Sequence, residues 1–201
     1  METERLFLRN YTENDLDDYW EYVQMKNVGP RCGWEPYTDK QKAFERLKVE
    51  IAKPHQFAII IKDINKVVGS IELMNVKAER YPNANIKEGA KEIGYLLSEK
   101  YWGKGYMTEA IKCVMAFAFD TLKVPQIFIS HAEANIGSGR VQDKAGFKKI
   151  GRIKNYRQWV DGTMTDSICR CMTKREWNNL QRRAKGQLWV NLLNRILKNL
   201  T

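Results

Sequence analysis

The run Glu92-Ile-Gly-Tyr-Leu-Leu-Ser-Glu-Lys-Tyr-Trp-Gly-Lys-Gly-Tyr-Met-Thr-Glu-Ala110 decides the fold. It begins as a strand from Glu92 to Leu97, turns through a Gly-x-Gly loop at Gly103 and Gly105, and opens a helix. The spacing predicts that helix over 103–122, because Met107, Ala110, Ile111, Val114, Met115 and Ala118 recur on one helical face. A further apolar run, Gln126 to His131, reads as a buried strand. Strand, long helix and strand in succession predict a parallel crossover inside a mixed sheet. The glycines let the chain turn tightly and bring backbone N–H groups close to a ligand. Beside a helix N-terminus such groups suit a pyrophosphate, and Lys100 and Lys104 add positive charge next to them. The loop lacks the G-x-G-x-x-G spacing of a dinucleotide fold, and no G-K-[ST] of a Walker loop follows it. The alternative reading of this loop is a plain turn between strand and helix.

Upstream, Arg5 to Arg9 alternates as a first strand. Thr12 with Asp15, and Thr38 with Gln41, read as capping boxes that open two helices, and Thr173 with Glu176 reads as another that opens a helix in the tail. The first helix shows Leu16, Tyr19, Trp20 and Val23 on one face, the second Ala43, Phe44, Leu47 and Ile51. Phe57 to Ile61 and Val67 to Leu73 form a predicted hairpin. Downstream, a short helix is expected over 137–144. Phe147 to Val160 and Met164 to Met172 then pair across Asp161-Gly162. The predicted order is β-α-α-β-β-β-α-β-α-β-β.

The chain has 201 residues, 43% hydrophobic and 29% charged, which suits one domain with a real core. No run of about 18 apolar residues reads as a transmembrane helix, and Met1-Glu-Thr-Glu-Arg5 lacks the features of a signal peptide. Cys32, Cys113, Cys169 and Cys171 form no C-x-x-C pair, so a reduced, cytoplasmic protein with packing cysteines is expected. His55 and His131 stand at no ligand spacing, so no metal is expected. Of the formal charge of +10, residues 174–201 hold +6, from seven Lys/Arg against one Glu. The charge thus reads as a property of the tail and not of a groove.

Two motifs carry a family resemblance. Lys100-Tyr-Trp-Gly-Lys-Gly105 resembles the acetyl-CoA pyrophosphate loop of the GNAT N-acetyltransferases, whose pattern is [Q/R]-x-x-G-x-[G/A]. Asn135 with Ser138, followed by Lys144-Ala-Gly-Phe147, resembles their second signature. The wording Tyr-Trp-Gly-Lys-Gly-Tyr-Met-Thr-Glu-Ala, and the opening Thr3-Glu-Arg-Leu-Phe-Leu-Arg9, look like the ribosomal-protein N-terminal acetyltransferase (RimJ/RimL-like) branch. The resemblance covers about residues 1–175. It implies an α/β (α+β type) GNAT fold: a mixed, mostly antiparallel sheet of about seven strands with a parallel β4-α3-β5 crossover and flanking helices.

It also implies roles. Backbone N–H groups of Trp102, Gly103, Lys104, Gly105, Tyr106 and Met107 would hold the pyrophosphate of acetyl-CoA, the acetyl donor. The main chain of Tyr95, Leu96 and Leu97 would pair with pantetheine like an added strand, Asn135 would bond the pantetheine arm, and Ser138 would lie near the sulfur. Gln142 stands where many relatives carry a tyrosine general acid. An amide supplies no acidic proton, which leaves Ser138 as the nearest acid. Glu92, at the start of the strand expected to carry the acetyl group, is the first choice of base, with Glu72 second; the bland alternative is a surface carboxylate at a strand end. With no cysteine at a nucleophile position, direct ternary-complex transfer is expected. The Trp34–Tyr37 loop, the Tyr81 loop and the Tyr156–Trp159 strand are expected to border the acceptor.

The most direct functional reading is transfer to a protein or peptide N-terminal α-amine, as on a ribosomal protein. The alternatives are a small-molecule amine acetyltransferase (polyamine, aminoglycoside or amino acid analogue) and a non-catalytic acyl-CoA-binding module. The domain is expected over 1–175. Residues 176–201 are expected to form a basic amphipathic helix, interrupted at Gly186, that packs on its own domain or on a twin subunit in a homodimer, with a membrane surface or an anionic partner such as the ribosome as alternatives.

Overall fold

A computed structural model describes the backbone of residues 1–198 and the side chains of residues 1–186. Seven strands, β1 (Leu6–Arg9), β2 (Gln56–Ile61), β3 (Lys66–Asn75), β4 (Lys91–Leu97), β5 (Gln126–Ala132), β6 (Lys148–Gln158) and β7 (Met164–Thr173), form one sheet in the order β1-β2-β3-β4-β5-β7-β6. Every pairing is antiparallel except β4 with β5. The five helices are α1 (Leu16–Val23), α2 (Lys40–Ala52), α3 (Tyr106–Ala116), α4 (Ile136–Ala145) and α5 (Lys174–Lys198). The mixed α/β architecture expected from the sequence is the one present.

Strand alternation divides the core between the two faces. Phe57, Ile59 and Ile61 join Ile93, Ile127 and Ile129 beneath α3, whose Met107, Ala110, Ile111, Val114 and Met115 are all buried. Ala58 and Ile60 face the other way, into a cluster with Tyr19, Tyr22 and Val23 of α1 and Ala43 and Leu47 of α2. Further along that second face, Tyr81, Phe128, Cys169 and Cys171 form a smaller cluster.

Several boundaries differ from expectation. Helix α3 begins at Tyr106, because Gly103 and Gly105 take positive φ and hold the loop outside the helix. Past Ala116 it continues as a π turn, Phe117–Thr121. The Thr12/Asp15 capping box is present but opens a 3-10 turn ahead of α1. Helix α2 is capped by Asp39 and not by Thr38: the Asp39 carboxylate accepts from the N–H groups of Gln41 and Lys42. Strand β6 stops at Gln158, since Trp159 to Thr163 close a wider loop around Gly162.

Helix α5 opens on the Thr173/Glu176 capping box, with the Glu176 carboxylate accepting from Thr173 N at 2.9 Å. It starts at that box, as expected, and its Trp177 is buried against Phe119 at 5.7 Å. The backbone runs helically through Gly186, where a break was expected; a single helical glycine costs only about 1 kcal/mol. The apolar face expected from Leu188 to Leu200 lies outside the described side chains. Among the described residues, no helix is long and apolar enough to cross a membrane.

Candidate active site

Strands β4 and β5 pair only at Lys91–Ile127 and Glu92–Phe128, and then diverge. Strand β4 stays paired with β3 as far as Leu97, and β5 with β7 as far as Ala132. The divergence leaves the facing edges of the two strands unpaired and opens a cleft of 680 Å³ through the sheet. Because residues alternate along β4, Glu92 and Gly94 border the cleft on the α1/α2 face, and Ile93 and Tyr95 border it on the α3/α4 face.

On the α3/α4 face the glycine loop and α3 end at the cleft. Gly103 (φ 76°) and Gly105 (φ 84°) occupy the left-handed region, which costs a residue with a Cβ about 1–2 kcal/mol. A Cβ on Gly103 would meet no atom within 4 Å and would project into open space at the cleft. No side chain caps α3 at Gly105. The first N–H groups of the helix are left to an anion, which the helix dipole also favours. Trp102 forms a wall, its indole donating to Leu97 O at 2.8 Å.

Lys100 and Lys104 are not on the cleft, contrary to expectation. Lys100 is drawn to Glu21 at 2.8 Å, and Lys104 lies over the Tyr101 ring at 5.2 Å. A brace that the site assignment missed holds the loop instead. Arg5 of the opening segment pairs with Glu109 at 2.6 Å, donates to Lys104 O at 3.0 Å and covers the Tyr106 ring at 4.5 Å. The signal for it was the presence of an arginine and a glutamate in the two stretches that carry the resemblance.

Beside the loop a polar chain joins β4, α4 and β5. The Tyr95 hydroxyl lies 2.6 Å from Ser138 Oγ, and the Gln142 amide donates to both hydroxyls at 3.4 Å. The carbonyl of Gln142 accepts from His131 Nδ1 at 2.8 Å. Burial pushes the His131 pKa down, which favours the neutral ring, and burial raises Tyr95. Asn135 caps α4, its Oδ1 accepting from Ser138 N at 3.1 Å, so its NH2 group is what it can offer a ligand. Gln142 is fully buried and gives up its place at the cleft surface to Tyr95. Tyr95 was expected to contribute main chain only; its phenol also reaches the cleft, hydrogen-bonded to Ser138 and Gln142.

On the opposite face, Glu92 is buried at 3% exposure. One oxygen accepts from Arg80 at 2.9 Å, and the other is buried without a partner. Glu72, the second choice of base, pairs with Lys53 at 3.4 Å and does not line the cleft. Of the three acceptor loops proposed from their aromatics, Trp34 packs on Tyr37 at 5.6 Å and Tyr81 is buried on Phe128 at 4.8 Å. The Tyr81 loop and the Tyr156–Trp159 strand do reach the cleft, through the adjacent Arg80 and through Arg157; residues 34–37 do not line it, and Arg31 just before them does. With Arg140 and Lys144 these make five basic side chains on the cleft against one acid, Glu92. Positive charge is therefore a groove property as well as a tail property, contrary to expectation. Cys32 also borders the cleft, where it is exposed.

A sheet split between two parallel strands, with an uncapped helix and glycine loop on one side and a buried carboxylate on the other, defines a two-substrate group-transfer enzyme. The GNAT acetyltransferase domain model matches residues 5–148, and the chain belongs to that family as an N-acetyltransferase. It is 26% identical over 180 residues to the N-acetyltransferase p20 of Bacillus licheniformis, covering 87% of this chain and 96% of that protein. It is 24% identical over 188 residues to the ribosomal protein uS5-alanine N-acetyltransferase of Escherichia coli, covering 87% and 91%. In fold it is similar to the spermidine N-acetyltransferase of Vibrio cholerae, solved in complex with CoA and spermine. The TM-score is 0.70 at 17% identity, and the match covers 87% of this chain and 99% of that one.

Proposed function

We propose that the protein moves the acetyl group of acetyl-CoA directly to the α-amine of a protein or peptide N-terminus, within a ternary complex. The observation that carries this reading is the cleft itself, which joins an anion cradle on one face of the sheet to a buried carboxylate with an unpartnered oxygen on the other. The cleft residues fit the donor. The Trp102 N–H, expected in the cradle, donates instead to Glu99 O at 3.2 Å. The N–H groups from Gly103 to Met107 suit a pyrophosphate, the unpaired edge of Tyr95, Leu96 and Leu97 suits an amide-bearing pantetheine arm, and Asn135 and Ser138 stand beside it. Acetyl-CoA held there supplies an activated acetyl thioester.

The remaining chemistry belongs to the side chains. Glu92 Oε2, which has no partner, accepts a proton from the amine as its nitrogen bonds to the acetyl carbon, directly or through one water. A β4 N–H, from Leu96 or Leu97, stabilises the oxyanion. Tyr95 donates its phenolic proton to the leaving sulfur as the C–S bond breaks, with Ser138 and Gln142 fixing the hydroxyl. Two reactants held in one cleft gain several kcal/mol from placement alone. The ribosomal-protein acetyltransferase among the relatives supports an N-terminal acceptor.

The test is thiol release from acetyl-CoA against N-terminal peptides, polyamines and aminoglycosides. Turnover with peptides is expected, and Glu92→Gln should lower kcat and alter the pH–rate profile. Turnover confined to polyamines would overturn the N-terminal reading, and an unchanged profile in Glu92→Gln would remove that residue as base.

A further inference from the structure

The acceptor face of the cleft carries an arginine that the transfer chemistry above does not use. The Arg157 guanidinium is half-buried on the cleft wall. It donates to Ser130 Oγ at 2.7 Å and Ser167 Oγ at 3.3 Å, and it has no carboxylate partner among the described residues. Arg80 differs, being bound to Glu92 at 2.9 Å. A guanidinium carries five N–H donors in a planar fork that matches a carboxylate. Two hydroxyls satisfy part of that fork and neutralise none of its charge.

Register places this cation relative to the base. Glu92 pairs across the sheet with Phe128, and Ser130 lies two residues further along β5 on the same face. The offset is about 5 Å across and about 7 Å along the strand. Arg157, through Ser130, thus lies on the same face of the sheet as Glu92, and both border the same cleft. One group takes an amine and the other takes an anion.

We infer that Arg157 is a specificity residue, and that the acceptor is a primary amine carrying a carboxylate a few bonds away, as in a peptide N-terminus with an acidic second residue. This rests on the acetyl-transfer reading above. A polyamine meets the opposite field: Arg31, Arg80 and Arg157 face it, and Glu92 already shares its charge with Arg80. Like charge in a narrow cleft disfavours such an acceptor.

The experiment is steady-state thiol release by the full-length protein. Its acceptors are amidated peptides of equal length that begin Ala-Glu, Ala-Gln or Ala-Lys, with spermidine and free alanine alongside. The Ala-Glu peptide is expected to exceed Ala-Gln in kcat/KM by about tenfold or more, and Ala-Lys and spermidine by more still. Free alanine tells whether its own carboxylate can replace the acidic side chain. Arg157→Gln should abolish the Glu-over-Gln preference with the acetyl-CoA KM unchanged, and Arg157→Lys should keep part of it. A thermal shift with CoA shows that each variant is folded. Equal rates with Ala-Glu and Ala-Gln, or faster turnover of spermidine, overturn this inference and leave the transfer reading standing. No turnover of any amine overturns both.

Discussion

Glu92 and Tyr95 lie three residues apart on β4 and so face opposite sides of the sheet. In the proposed mechanism this division supplies an acid to a chain with Gln142 at the usual tyrosine position, a hydroxyl from a strand instead of a helix. Tyr95→Phe is expected to lower kcat about a hundredfold, the low end of general acid catalysis, with the acetyl-CoA KM unchanged. Adding Gln142→Tyr should restore part of the rate, because residue 142 lies 3.4 Å from that hydroxyl. A kcat unaffected in Tyr95→Phe removes it as the acid. His131 gives a separate test through stability. Burial lowers its pKa, so the native state resists a proton that the unfolded chain accepts near pH 6.5. Its contribution is complete above that pH and is lost as pH falls below it. The melting temperature should therefore drop between pH 6.5 and 5.5, and the slope should flatten in His131→Asn.

At the scale of elements, the glycine loop and α3 were legible because their signals are local: two glycines, then a clean apolar face. The loop's conformation makes a prediction. Gly103→Val should leave the fold in place at a cost of about 1–2 kcal/mol from its positive φ. The side chain would fill space beside the uncapped helix, so the acetyl-CoA KM should rise at least about tenfold while acceptor KM changes little. An unchanged acetyl-CoA KM means the anion cradle lies elsewhere. The capping boxes at Thr12 and Thr173 were legible for the same local reason. Asp39 was missed because Thr38 beside it offers equal capping chemistry and only geometry selects between them. Tyr95, Arg5 and Arg157 were missed as functional side chains because their partners lie 43, 104 and 27 positions away, a separation no periodicity reports. The aromatic loops were misjudged for a related reason. Tyr81 is a large side chain that the sheet covers, and its neighbour Arg80 supplies the polar group at the cleft.

Across the whole molecule, one topological event makes the site. Strands β4 and β5 pair for two residues and then part, which opens a cleft reaching both faces of an otherwise continuous sheet. In the proposed reading donor and acceptor meet there together, and neither needs to leave before the other arrives. Initial velocities measured over a grid of acetyl-CoA and N-terminal peptide concentrations test this most directly. The account predicts double-reciprocal lines that intersect, with no thiol released until the amine is present. Parallel lines, together with a burst of thiol from acetyl-CoA alone, would show an acetylated enzyme and contradict direct transfer through the cleft.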